Sequence, residues 1–346
     1  MTDFDAASQP DMAGDFDHIL SCLGLSGDDP AGGAIREIMH TAVKLHHDQA
    51  DLGEMRLISR SLKELRYALK VFRPYRRIRK VSVFGSARTP EDHPDYQAAL
   101  QFSEAMADAG WMVITGAGDG IMRAGHHGAR REASFGVSIR LPFETNANDV
   151  IKGDEKLITF RYFFTRKLMF MWTSSAVALF PGGFGTQDEG FEALTLIQTG
   201  KAPVVPVVCV DSPQGDYWRH WDNYVRHSLL DYKFISPEDT SLYFVTNDAN
   251  AAADHIQRFY KNYHSQRFVH DTLVLRIRRP LSDRQIDALN DEFAASLVVD
   301  GRIEQGEALK PEHGEHADLP RLFWHSNKKA YGVLRRLIDR VNEWDL

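Results

Sequence analysis

The residues with the most chemical potential lie in Pro181-Gly182-Gly183-Phe184-Gly185-Thr186-Gln187-Asp188-Glu189. The apolar run Ala176-Val177-Ala178-Leu179-Phe180 precedes them, and Phe191-Glu192-Ala193-Leu194-Thr195-Leu196-Ile197 follows with helical spacing. A strand therefore runs into a glycine-rich turn, and the turn opens a helix that begins with carboxylates. Glycines let backbone N–H groups approach a ligand closely, and a helix N-terminus carries partial positive charge. That combination suits a phosphate. The acids beside it point further, to chemistry on the phosphorylated molecule. Asp188 and Glu189 also have a plainer reading, as acids that complement a helix dipole.

Two other turns share the first feature: Gly85-Ser86, and Thr115-Gly116-Ala117-Gly118-Asp119-Gly120. One such turn often serves packing alone, but three within one alternating pattern point to a common ligand. The second turn carries Ile121 where the dinucleotide fingerprint has its last glycine, and no Walker pattern is present, so nicotinamide chemistry and ATP hydrolysis are both unsupported. Arg166-Lys167 lies just before the 176–180 run. Its guanidinium suits a bidentate grip on phosphate or carboxylate, and the alternative is a surface cation near a helix start. Neighbouring His126 and His127 point to different faces of a helix and lack metal-ligand spacing. Two cysteines, Cys22 and Cys209, allow neither a disulfide framework nor a Cys-based zinc site.

The elements that must position these residues alternate. Strands are predicted at 81–84, 111–114, 136–139, 156–160, 176–180 and 204–210. Helices are predicted at 94–109, from 120 to about 131, at 162–174 and after the 181–189 turn. Short apolar strands alternating with helices give an α/β fold, a Rossmann-like doubly wound parallel sheet. Its ligands sit beyond the carboxyl ends of the strands, where all three turns fall. Residues 32–72 read as two helices, with Leu62, Leu65, Leu69 and Phe72 on one stripe. The basic run Arg73–Lys80 reads as a solvated linker, with a phosphate-attracting rim or a subunit contact as alternatives. Past 265 the pattern becomes a small α+β addition, with a strand at 270–277, helices at 282–295 and 326–344, and a loop at 303–319. The division expected is an acidic, flexible tail (1–30), a helical extension (31–74), the Rossmann-like domain (75–264) and the addition (265–346).

The formal charge of −7 is unevenly spread. Residues 1–30 hold seven acids and no Lys or Arg, and the remainder is balanced at 41 of each sign. A balanced body argues against a nucleic-acid binder. No apolar run is long enough to cross a membrane and no signal-peptide pattern opens the chain, so the expected location is the cytoplasm.

The Arg166-Lys167 pair, the apolar strand and Pro181-Gly182-Gly183-Phe184-Gly185-Thr186-Gln187-Asp188-Glu189 together resemble the LOG ("lonely guy") family of cytokinin riboside 5′-monophosphate phosphoribohydrolases, once labelled possible lysine decarboxylases. Arg166 and Glu189 are 23 positions apart, as in the family. Gly85-Ser86 is similar to its first turn, Thr115–Met122 to its second, and Leu141-Pro142-Phe143-Glu144 to a further segment. The likeness covers residues 75–260. Ala87 and Ala117 stand where members often have Ser or Gly, and the extensions resemble those of long bacterial members.

The resemblance implies an enzyme that hydrolyses the N-glycosidic bond of a nucleoside 5′-monophosphate, AMP or a cytokinin riboside monophosphate, to free base and ribose 5-phosphate. It implies Glu189 as electrostatic stabiliser or general base, with Asp188 second, and Arg166 orienting the ribose phosphate and Glu189. Gly182, Gly183, Gly185 and Thr186 would hold the 5′-phosphate. Gly85, Ser86, Gly116, Gly118, Glu144 and Lys167 would complete the substrate site, and Met122 would border the base. No metal or redox cofactor is implied, and a homodimer or higher homo-oligomer is, with the Arg-Lys helix near its interface. The rivals on the same fold are a non-catalytic nucleotide or molybdenum-cofactor carrier and a single-strand DNA binder. Lysine decarboxylation would need a pyridoxal-binding lysine, for which the sequence offers no context.

Overall fold

The structure is a computed structural model, and it describes residues 13–140, 147–312 and 314–344. The chain divides into two compact units, one up to Glu64 and one from Leu65 onward. The smaller unit contains helices α1 (Ala13–Cys22) and α2 (Pro30–His47), and α3 (Leu52–Phe72) begins in it. The α1 helix lies inside the stretch read as an acidic tail. It forms because Phe16 and Leu20, one turn apart, are both buried, while Asp17 pairs with Arg36 of α2.

The larger unit is built on a seven-stranded sheet: β1 (Lys80–Phe84), β2 (Met112–Thr115), β3 (Ser134–Ile139), β4 (Leu157–Phe160), β5 (Ala176–Leu179), β6 (Val207–Val210) and β7 (Tyr243–Thr246). Every pairing is parallel and the order is β4-β3-β2-β1-β5-β6-β7, a Rossmann-like doubly wound sheet. Val81, Val83, Val113, Val177, Ala178 and Val208 are wholly buried, as strands covered on both faces require. β7, absent from the expected strands, is half-buried along its length and closes one edge.

The covering helices are α4 (Pro94–Asp108), α5 (Ile121–Ala129), α6 (Phe163–Thr173), α7 (Phe184–Gln198), α8 (Tyr217–Tyr224) and α9 (Ala249–Phe259). α4 packs on α5 and α9, and α6 on β3 and β4. Of the apolar stripe on α3, Phe72 is buried and stacks on Phe135 with centroids 4.4 Å apart, whereas Leu69 is exposed.

Beyond α9 the chain forms a second, antiparallel sheet of β8 (Tyr263–Val269), β9 (Thr272–Ile277), β10 (Glu304–Gly306) and β11 (Arg321–His325), ordered β10-β11-β9-β8. Helices α10 (Asp283–Leu289), α11 (Ala295–Leu297) and α12 (Tyr331–Glu343) complete it. The strand expected at 270–277 starts at Thr272, because His270 (φ 55°) makes the hairpin turn. The expected loop at 303–319 contains β10, and the helix expected from 326 starts at Tyr331, after β11 and a turn at Lys328 (φ 57°). Asn342 of α12 ties the start of the second sheet to α9: its Oδ1 accepts from the Asn262 and Tyr263 amides (2.7 and 2.9 Å), and its Nδ2 donates to Phe259 O (2.6 Å).

Candidate active site

The three glycine turns follow β1, β2 and β5, so they share the carboxyl edge of the sheet. β1 lies between β2 and β5, the point where the chain's crossovers reverse direction, and such a switch point opens a crevice. A cleft of about 860 Å³ lies there. Gly85, Ser86, Met122, Arg166, Gly182, Gly183, Gly185, Thr186, Asp188 and Glu189 all line it. The turns are tied together: the Ser86 amide donates to Pro181 O (3.0 Å), and the Ile121 amide donates to Ser86 O (3.0 Å). A side chain at Gly182 would collide with the Thr186 hydroxyl and come within 3.0 Å of the Ser86 amide.

The helix after the third turn starts earlier than the spacing indicated. α7 begins at Phe184, inside the glycine motif, and Gly183 is its N-cap. No side chain caps this end, so the first amides of a 15-residue helix point toward the cleft without an intramolecular side-chain acceptor. Asp188 and Glu189 are thereby moved out of the first turn, and the helix has no acid there. The dipole explanation for these acids therefore fails.

Glu189 is 11% exposed and its carboxylate lies 3.6 Å from the Arg166 guanidinium. Burial pushes its pKa up to about 7, against the pull of Arg166 and Lys167. Arg166 sits in the first turn of α6, where its Nε donates to Val137 O (2.9 Å) and its guanidinium stands 4.9 Å over the Phe170 ring.

Gly116 and Gly118 do not line the cleft; they make room for residues that do. A Cβ at 116 would come 2.7 Å from both Arg166 Nη2 and Met122 Sδ, and one at 118 would meet Met122 Cε at 2.7 Å. Lys167 is likewise outside the lining. Its ammonium joins Asp188 (2.6 Å) and Glu192 (2.9 Å). Burial opposes its charge, but those two hydrogen bonds win and raise its pKa. Glu144 lies outside the described residues.

The second turn holds an unusual backbone. Ala117 has φ 66°, a region that costs a non-glycine residue about 1–2 kcal/mol. Its amide donates to Thr115 Oγ1 (3.0 Å), and its carbonyl accepts from the Asn148 amide (2.8 Å). Behind it, fully buried His126 donates from Nε2 to Phe135 O (3.0 Å), and its Nδ1 meets the Asn148 side chain. Burial lowers the His126 pKa, so the ring is a neutral scaffold. Among the described residues, no group of His, Cys, Asp and Glu is arranged to hold a metal ion.

Several cleft residues carried no local signal. Tyr217 on α8 donates from its hydroxyl to Gly182 O (2.6 Å) and accepts from Gln187 Nε2 (2.6 Å), bracing the third turn from 28 residues beyond Glu189. Phe163 and Phe184 form an apolar rim and are 53% and 96% exposed, and Arg88 adds a cation. Only proximity in the fold singles these residues out.

Residues 116–256 match a family described as "Possible lysine decarboxylase". A search of curated proteins returns no match. Among solved structures, the chain is similar to the molybdenum cofactor carrier protein of Chlamydomonas reinhardtii (21% identity, 53% of this chain and 98% of that one, TM-score 0.37). It is similar to the molybdenum cofactor binding protein of the phototrophic bacterium Rippkaea orientalis (16%, 52% and 96%, 0.37). It is also similar to DNA processing protein A of Helicobacter pylori (11%, 52% and 80%, 0.37). No described helix is long and apolar enough to cross a membrane. The matched segment takes in the second turn from Gly116 onward, all of the third turn, Arg166 and Glu189, and it lies on the Rossmann-like parallel sheet.

Proposed function

We propose that the protein hydrolyses the N-glycosidic bond of nucleoside 5′-monophosphates, as the LOG-type resemblance implies. The observation that carries this reading is Glu189, a largely buried carboxylate facing an open cleft beside Arg166, next to an uncapped helix N-terminus. The 5′-phosphate binds the amides of residues 184–186 and the Thr186 hydroxyl, and the base lies against Met122 and Phe163. As the C1′–N bond breaks, positive charge grows on the ribose, and the Glu189 carboxylate stabilises it or draws a proton from the attacking water. The water oxygen bonds to C1′, the bond's electron pair leaves with the base, and the proton ends on the base. Arg166 holds the ribose phosphate and keeps Glu189 oriented.

Decarboxylation of lysine through a pyridoxal Schiff base fits these residues poorly. No lysine lines the described cleft, and adjacent Lys167 is held as an ammonium by two carboxylates, the wrong state for imine formation. Incubation with AMP and the other common monophosphates, followed by chromatography, should show free base and ribose 5-phosphate. Tight binding of a monophosphate with no base released from any of them would favour a non-catalytic carrier.

A further inference from the structure

The basic run Arg73–Lys80 is not used by the cleft just described. It leads into β1 at the opposite, amino edge of the sheet. Lys80 is buried, and its ammonium donates to Tyr75 O (2.6 Å) and Ile78 O (2.7 Å), which locks the turn that carries Arg76 and Arg77. On one side of that turn a second cleft of about 420 Å³ opens, between the start of β1, the end of α4 and the end of α9. Arg77, Arg79 and Arg278 all line it.

No acidic residue is among the described residues that line it. The nearest acids in sequence are directed elsewhere, Asp108 to Arg130 (3.8 Å) and Asp254 to Arg258 (3.9 Å). Arg79 lies flat on the Tyr260 ring, 3.6 Å from its centroid, with Nη2 donating to His264 O (3.1 Å). Arg278 donates from Nε to Tyr260 O (3.2 Å). Each of these two guanidiniums is thus positioned by its neighbours, with N–H groups left over. The carboxyl ends of α4 and α9 also face this edge, and together they contribute roughly one negative charge. Three guanidiniums exceed that by about two positive charges. The Tyr260 face is already covered by Arg79 and Trp111 is buried, so no aromatic face is open for a base to stack on.

We propose that this cleft is a second anion site, distal to the glycine turns, for a phosphate or diphosphate group. The test is calorimetric titration of the full chain with pyrophosphate. Wild type should show a binding event that survives Arg166→Ala and weakens at least tenfold in Arg77→Ala/Arg278→Ala. Arg77 and Arg278 are exposed, so the double variant should keep the wild-type melting temperature. In the Arg166→Ala background, equal affinity for pyrophosphate and ADP would identify a free phosphate or diphosphate as the source, and tighter binding of ADP a nucleotide. Either result supports the site. Binding unchanged in the double variant, or no binding that outlasts Arg166→Ala, would overturn it.

Discussion

Glu189 and Glu312 are both carboxylates that face arginine, the first largely and the second wholly withdrawn from solvent, and their acidities move in opposite directions. Glu312, in the short turn before β11, is fully buried. It accepts from Arg276 Nε and Nη2 (3.0 and 2.8 Å), from Arg321 Nε (3.1 Å) and from the Leu309 amide (3.0 Å). Burial raises its pKa, but these hydrogen bonds outweigh it and bring the value down to about 2. Glu189 has one guanidinium at 3.6 Å, beyond hydrogen-bond reach, and the acids Asp188 and Glu192 nearby. Its pKa rises to about 7. The more deeply buried carboxylate is the stronger acid, so burial alone does not set a carboxylate's role; the completeness of its hydrogen bonding separates a structural clasp from a group left with unspent basicity.

That contrast can be broken at several points. The largest effect is expected from Glu189→Gln and Arg166→Ala, each of which should lower turnover about a thousandfold, roughly 4 kcal/mol of transition-state stabilisation, with the fold intact. Steady-state base release together with thermal melting checks this, and wild-type turnover in both variants would refute the site. Next is Glu312→Gln, which removes the carboxylate charge shared by the two buried guanidiniums of Arg276 and Arg321. A loss of about 3 kcal/mol in denaturant unfolding is expected, with turnover per folded molecule retained.

The two carboxylates should also oppose each other in pH dependence. Glu189 binds its proton more tightly folded than unfolded, so its ionisation costs stability as pH rises from about 4.5 to about 7. Glu189→Gln should therefore be more stable than wild type at pH 8, on the order of 2 kcal/mol, and the gap should close by pH 5. Glu312 binds its proton less tightly folded, so its contribution is full above about 4.5 and is lost as pH falls toward 2. Base release should fall as pH drops through 7, when Glu189 is protonated. A stability gap between Glu189→Gln and wild type that does not change with pH would contradict the assignment. The smallest effect is expected at Gly116→Ala, whose methyl would press on Arg166 and Met122. A loss of about tenfold in kcat/KM is expected, near 1.4 kcal/mol, and a crystal structure should show Arg166 displaced from Glu189.

The glycine turns, Arg166 and Glu189 were legible in the sequence because a close backbone turn admits few residue types, and those types carry the chemistry. Tyr217 was not, since a hydroxyl that braces a turn from another helix leaves no mark at its own position. Six of the seven parallel strands read well from their apolar runs, and β7, half-buried at the sheet's edge, did not. β8 and β11 did not, because Tyr263–Val269 is half-buried and rich in polar residues, and Arg321–His325 begins with a buried arginine whose partner lies in a separate turn. Charge buried by distant pairing is indistinguishable, in sequence, from charge facing water. The α7 start was misplaced for a related reason. Gly183 and Gly185 were read as turn, but glycine can also enter a first helical turn when backbone proximity to a ligand is the requirement.

The pairing of β1 with β5 has a further consequence for how the chain acquires its structure. Val81 and Ala176 are register partners, although β2, β3 and β4 lie between them in sequence. During synthesis β1 can pair with β2 early, but its other edge stays bare until nearly a hundred further residues have emerged. That edge belongs to a strand carrying apolar Val81, Val83 and Phe84, a template for wrong pairing with another nascent chain. Closing it brings Ser86 to Pro181, so the pairing with the longest sequence separation in the sheet is the one that builds the cleft. Variants that slow β5 docking should therefore lose yield through aggregation before they lose activity per folded molecule.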